Sequence, residues 1–350
     1  MASIKAYIIT RILLAIPTVL ILLTLVFILL RAIPGNPFLT ELGEHYNKAV
    51  IAALNAKYGL DKPIYIQYFT YLSQILRGDF GNSLSGAQRP VLTEIFEKLP
   101  ATIELTVAAM FVALLVGILG GVYAAYYRSG PVDYGVRFYG NLIYSMPIFV
   151  LGLIFQIIFA SHYLHWLPAG GRISSTSVIV PIWSFQLGPW HIDTGAWYVL
   201  NSLLTANLTA LQDALFHLIL PALTLGLVIS GVFTRITRAN MLDTLKRDFI
   251  TAGRARGLSE RRVIYDHALR NASVPIFTLI GLQFALLLAG AIITETIFTW
   301  PGIGKYLLDR IEARDFTAVQ GAIVIYAILV ASISTLVDII YAFLDPRIRL

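Results

Sequence analysis

Four ionisable side chains, Glu104, Asp213, Glu295 and Asp338, stand within or at the ends of long apolar runs. An ionisable group so placed is a default candidate for function, because leaving it unpaired in hydrocarbon is costly. Glu104, Asp213 and Glu295 lie within a turn or two of a plausible span end, where local pairing or snorkelling also accounts for a charge; Asp338 can pair with Arg347 or Arg349. Of the four, Glu295 in Thr294-Glu295-Thr296-Ile297-Phe298 is the best candidate to line a pathway. Other chemistry lacks its residues. With no cysteine there is no disulfide, thiolate metal site or Cys nucleophile. No H-E-x-x-H metal motif and no Ser nucleophile elbow occurs, so neither a catalytic residue nor a metal site is expected. Gly302-Ile303-Gly304-Lys305 lacks the first glycine and the hydroxyl residue of a phosphate-cradling loop, so ATP is not expected to bind this chain.

The remaining concentration of chemistry is positive charge. Between residues 235 and 270, nine Lys or Arg face four Asp or Glu, and no other connection between apolar runs carries that excess. Within it Phe249 to Arg256 has good helix formers apart from Gly253; Gly257 stands where a helix stop takes a left-handed conformation, and Ser259 can cap a second helix running to Asn271. Ala252, Gly253 and Ala255 are small enough to let another backbone approach, while Phe249, Ile250 and Leu258 supply apolar anchors, a pattern suited to a groove on a partner. Composition alone favours an ordinary basic cytoplasmic loop.

Spacing favours the docking helix. Thr251-Ala252-Gly253, three residues, Gly257, nine residues, then His267-Ala268-Leu269 resembles the EAA loop of ABC importer permeases, most closely in the dipeptide/oligopeptide group. Gly253-Arg254-Ala255-Arg256-Gly257-Leu258, His267 to Ala272 and Pro275 carry that likeness. Thr251 stands at the position of the motif's glutamate and Gly253 at that of its second alanine. Arg31 to Pro37, Tyr58 to Pro63, Arg77 to Leu84, Glu295 to Gly304 and Asp345-Pro346-Arg347 resemble the same group. The resemblance implies that 249 to 258 couple the chain to ATPase subunits. It further implies a second related permease, two cytoplasmic ATPases that carry ATP and Mg, and an external solute-binding protein. No cofactor is implied on this chain.

The elements that must position these residues are membrane helices. The 350 residues are 57% hydrophobic and 13% charged, against roughly 25% charged in soluble domains. Several runs exceed the ~18 to 20 apolar residues that cross a bilayer as a helix. The fold class expected is all-α, with six transmembrane helices: 8–30, 101–127, 137–166, 215–233, 274–298 and 317–343. Pro17, Pro147 and Pro221 fall inside three of them. Lys5, Arg11, Arg128, Arg137, the 235–271 loop and Arg347 and Arg349 put both termini and that loop in the cytoplasm of a cell-membrane protein. Three stretches follow: 1–33 with the first helix, an external domain 34–100, and a permease core 101–350 with an external loop 168–212 and the coupling loop 235–273. Helices at Lys48 to Lys57 and Ile64 to Leu76 are expected in the external domain. Trp183, Trp190 and Trp197 suit stacking on a sugar or anchoring at the interface, the latter being the more economical account. The basic charge sits in one membrane-flanked loop, which argues against nucleic acid.

Two other classes compete with an importer permease. An ion-gradient-driven transporter more often shows internal repeats and several mid-membrane charges, and a channel shows a filter-like sequence; neither is seen. The substrate expected from the resemblance is a di- or oligopeptide, with oligosaccharides and nickel left open.

Overall fold

The computed structural model describes residues 4–32, 56, 59, 61–84, 88–161, 164–174, 180, 182, 184–187, 190–193 and 195–344. Helix α1 spans Ile4–Ala32 and α2 spans Ile64–Leu76, the latter as expected from the sequence. The other external helix expected, Lys48 to Lys57, lies outside the described residues but for Ala56. Helix α3 covers Val91–Tyr126, α4 covers Pro131–Ser145 and α5 covers Ile148–Phe155, continuing as a π-helical stretch Gln156–Ser161. A two-stranded antiparallel hairpin, β1 Ser184–Leu187 with β2 Trp190–Asp193, precedes α6 at Tyr198–Leu204. Helix α7, Leu208–Leu245, is followed by α8 at Asp248–Ala255 and α9 at Glu260–Ala272, whose middle, Val263–Leu269, is π-helical. Then come α10 Val274–Ile297, α11 Ile303–Glu312 and α12 Phe316–Leu344.

The core is the pairing of α3 with α7. Ideal Cβ atoms at Gly117 and Gly121 would lie 2.4 Å from the Phe233 Cβ and 2.5 Å from the Thr237 Cβ, and one at Gly226 would lie 2.5 Å from the Ala109 carbonyl oxygen. Glycine is therefore required for this approach, by the small-xxx-small logic of membrane helix packing. Residues 109, 117 and 121 meet 226, 233 and 237 in ascending order, so the two helices run parallel. Leu105, Leu218, Leu225, Phe233, Ile276, Leu287 and Trp300 fill the core around them, bringing α10 against the pair.

Among the described residues three helices are long and apolar enough to cross a membrane, Val91–Tyr126, Leu208–Leu245 and Phe316–Val337; two more candidates are bent pairs. Pro131–Ser145 and Ile148–Ala160 meet at 104°, so the third span read from the sequence is not one straight helix. Pro147 is the cause: it lacks a donor and drives Met146 to an extended ψ of 125°. By contrast Pro17, Pro100 and Pro221 sit inside continuous helices.

Three expectations need correction. The second span's helix begins at Val91, not near residue 101, so the boundary drawn at residue 100 falls inside a helix. Residues 303–312, given no element between the fifth and sixth spans expected from the sequence, form α11, with Lys305 paired to Asp309 one turn on at 2.9 Å. The all-α expectation describes the bundle, but the 168–212 loop adds the hairpin.

Candidate functional site

The basic segment is mounted on the end of α7. Its 38 residues give a length of about 57 Å at 1.5 Å per residue, well beyond a hydrocarbon layer of about 30 Å. The face carrying α8 and α9 is called here the loop side, and the opposite face the far side.

Helix α8 is stopped by a Schellman motif. The Leu258 N–H donates to the Gly253 carbonyl at 3.3 Å and the Gly257 N–H to the Arg254 carbonyl at 2.9 Å. Gly257 has φ +77°, the left-handed conformation that this motif places after the cap. Arg254 then ties α8 to the first turn of α9, donating to both Glu260 oxygens at 2.8 and 3.2 Å. That hydrogen-bonded carboxylate pushes the Arg254 guanidinium further toward its charged form. Asp248 and Arg254, at the first and last turns, each suit the helix dipole.

The two faces of α8 differ. Ile250 is 1% exposed and packs with Val263, Ile264, Ala268 and Ala272 of α9 against Val122 and Ala125 of α3 and Met241 of α7; Leu258 is half-buried against the same cluster. The expectation that Ile250 and Leu258 anchor a partner is thereby corrected: they face their own chain, because the apolar side of a short helix must be buried before it can stand on a bundle. Thr251, Ala252, Arg254, Ala255 and Arg256 are exposed, as is Phe249, and Gly253 is half-buried. What is presented outward is a surface with Ala252 and Ala255 at its crest and Phe249 and Arg256 beside it. Ser259 occupies the cap position of α9, but its side chain makes no cap bond.

Behind this loop the bundle is pinned by charge. Arg238 of α7 donates to both oxygens of Asp133 at 2.6 and 2.8 Å, and Asp133 also accepts from the Ser129 N–H at 3.0 Å. The fixed start of α4 is thus held to the same helix that carries α8.

On the far side, Glu295 is 0% exposed. It accepts from Thr102 Oγ1 at 2.6 Å and from the Lys305 N–H at 2.9 Å, and Gly302 and Gly304 have no room for a Cβ beside it. Its carboxylate caps the start of α11 and fastens that helix to α3 and α10. Glu295 therefore does not line an open pathway here; its acceptors are consumed by packing. Glu104 pairs with Arg172 at 2.5 Å and accepts from the Val199 N–H, and Asp213 accepts from the Ser174 N–H and hydroxyl. Asp338 and its suggested arginine partners lie outside the described side chains.

Sequence reasoning missed a second far-side network. Tyr306 and Arg310 of α11 both donate to Glu94 at 2.9 Å, and Asp315 accepts from Ser83 Oγ, the Leu84 N–H and the Ala318 N–H. Burial, with Glu94 accepting its hydroxyl, pushes the Tyr306 phenol up. Asp315 carried a readable signal, an Asp immediately before an apolar run. Among the described residues no three His, Asp or Glu side chains converge to hold a metal ion.

The architecture is that of an integral-membrane helical bundle displaying a rigid basic helix pair on one face. The chain belongs to the binding-protein-dependent transport system inner membrane component family, whose description matches residues 117–350, with the family's N-terminal part matching 4–114. It is therefore a multi-pass transport permease of the inner membrane. Among similar proteins, the di/tripeptide transport system permease of Pseudomonas aeruginosa is 43% identical over 98% of both chains. The dipeptide transport system permease of Alkalihalophilus pseudofirmus is 39% identical over 98% of this chain and 99% of its own length. A glutathione transport system permease of Salmonella paratyphi A is 34% identical over 98% of both. The fold is shared with the MetNI methionine ABC transporter in inward-facing conformations, at a TM-score of 0.53 and 15% identity, covering 73% of this chain and 98% of that one.

Proposed function

We propose that this permease is the translocation-pore subunit of an ATP-driven importer of di- or oligopeptides. In this reading it works with a second related permease, two cytoplasmic ATPases that bind the ATP and Mg, and an external solute-binding protein, and it binds no cofactor itself. The peptide substrate is supported by the names of the relatives above, which cover nearly the whole chain.

The observation that carries the coupling role is the exposed small-residue crest of α8, held rigid by its left-handed stop and by Ile250 beneath it. A helix buried on one side and smooth on the other can be pushed as a unit by a partner that closes on ATP. Residues 249 and 251–256 are the contact surface; Ile250, Gly257 and Leu258 position it. Six crossings follow if α1, α3, α4 with α5, α7, α10 and α12 each span, with both termini and α8 cytoplasmic. The stretch before α2 and the 168–212 connection then lie on the outer side, where the binding protein docks.

The test is Ala255→Arg. A long charged side chain on the crest should weaken ATPase association by roughly 1 to 3 kcal/mol through overpacking, seen as loss of ATPase subunits on co-purification and of dipeptide uptake in proteoliposomes. Undiminished uptake would remove the docking role. Uptake by the wild-type complex of a sugar or nickel but no peptide would remove the substrate.

A further inference from the structure

Helix α2 is placed outside the membrane by any reading that treats residues 34–100 as a soluble domain, yet its neighbours are membrane helices. The Tyr68 hydroxyl meets Thr24 Oγ1 at 2.7 Å, the Phe27 ring packs on Tyr68 and Tyr71 at 5.3 and 5.6 Å, and Gln67 accepts from Arg31 at 2.9 Å. Tyr71 also shares a buried cluster with Leu23 and Phe27 of α1 and Val324 of α12. Thr24 and Val324 each lie eight residues inside the far-side ends of their helices, or about 12 Å along them. Helix α2 therefore sits at the depth of the far-side half of the bundle and not above it.

Its sequence divides into three strips. Tyr68, Tyr71 and Ile75 face α1 and α12. Gln67, Thr70 and Gln74 border a cleft of about 400 Å³ that Arg31 and Gln320 also line. The third strip, Tyr65, Phe69 and Leu76 at i, i+4 and i+11, points away from both, and these side chains are 65%, 67% and 86% exposed; Leu72, beside it, is half-buried against the α1–α12 cluster. No residue of Ile64–Leu76 is charged, whereas Asp61 and Lys62 precede it and Arg77 and Asp79 follow it. On α1, Leu25, Ile28 and Leu29 are likewise exposed apolar side chains.

We infer that α2 is embedded in the far-side leaflet, with Tyr65, Phe69 and Leu76 against lipid acyl chains and its polar strip turned to the cleft. An uncharged helix with one apolar and one polar side, bracketed by charges and rich in tyrosine, is suited to the boundary between headgroups and chains. A soluble external domain would instead leave this strip in water at the depth of Thr24. The inference needs only that the chain spans a bilayer and stands whether or not the cargo is a peptide.

The natural absence of cysteine makes the test direct. Phe69→Cys, Leu76→Cys and, as the water-facing reference, Asp61→Cys are each spin-labelled in the full chain, purified with its companion subunits and placed in phosphatidylcholine nanodiscs. Collision of the nitroxide with oxygen and with a water-soluble nickel chelate is then measured. At positions 69 and 76 oxygen accessibility should exceed nickel accessibility by about threefold or more, with the reverse preference at 61, as expected for acyl-chain contact. High nickel accessibility at 69 and 76 would put the strip in water and overturn the proposal. Low accessibility to both would mean that a protein covers the strip, which overturns it equally. Because both side chains are exposed, loss of either variant to misfolding leaves the other to give the answer.

Discussion

Arg172 sits 4.0 Å from the centre of the Tyr198 ring and 5.6 Å from that of Trp300, with its guanidinium paired to Glu104 and both side chains under a tenth exposed. It fastens the 168–212 connection to α3 and to the turn before α11. Arg172→Ala would strand Glu104 as a buried charge, a change on the order of 3 to 5 kcal/mol. The complex should then unfold at clearly lower temperature in a scanning assay. Glu104→Gln combined with Arg172→Met should recover much of the loss, because a neutral, well-packed pair has no charge to strand. A double variant as unstable as Arg172→Ala would show that the cation–ring contacts, not the ion pair, hold the connection.

The helix stop at Gly257 gives the sharpest test among the elements. An added Cβ there meets nothing within 4 Å, so a substitution is opposed only by the backbone conformation. Gly257→Val forces a β-branched residue into positive φ, a strain of about 1 to 3 kcal/mol that should re-aim α8, whereas Gly257→Asn tolerates that conformation. Transport should fail in the valine variant while ATPase subunits still co-purify, and the asparagine variant should transport nearly normally. Equal transport in both would mean that the aim of α8 does not matter. This stop was legible in the sequence because a Schellman ending is local, written in Gly253 to Leu258. So was α2, expected from its helical pattern over Ile64 to Leu76. The role of Glu295 was not, since its partners Thr102 and Lys305 are brought to it by the packing of three helices. The inward turn of Ile250 was equally hidden: an apolar residue beside small ones reads the same whether it faces a partner or its own chain. Helix α11 was masked by the two glycines at its start, which here make room for the Glu295 carboxylate and do not break the helix.

For the whole molecule the decisive question is which side of the membrane carries α8. A single cysteine at Ser259, exposed at the tip of the loop, should react with an impermeant thiol reagent only after cells are permeabilised; labelling in intact cells would invert the topology and put the docking surface beyond reach of cytoplasmic ATPases. The parallel run of α3 and α7 adds an electrostatic consequence. Antiparallel neighbours largely cancel their peptide dipoles, but these two end on the same face, each contributing roughly half a negative charge. Neither has a basic residue in its last turn; the cations follow just beyond, Arg128 after α3 and Lys246 and Arg247 after α7. The positive charge gathered there thus also offsets a field that the backbone itself creates, so neutralising those three residues should unsettle the ends of the two central helices even if the protein's orientation in the membrane is unchanged.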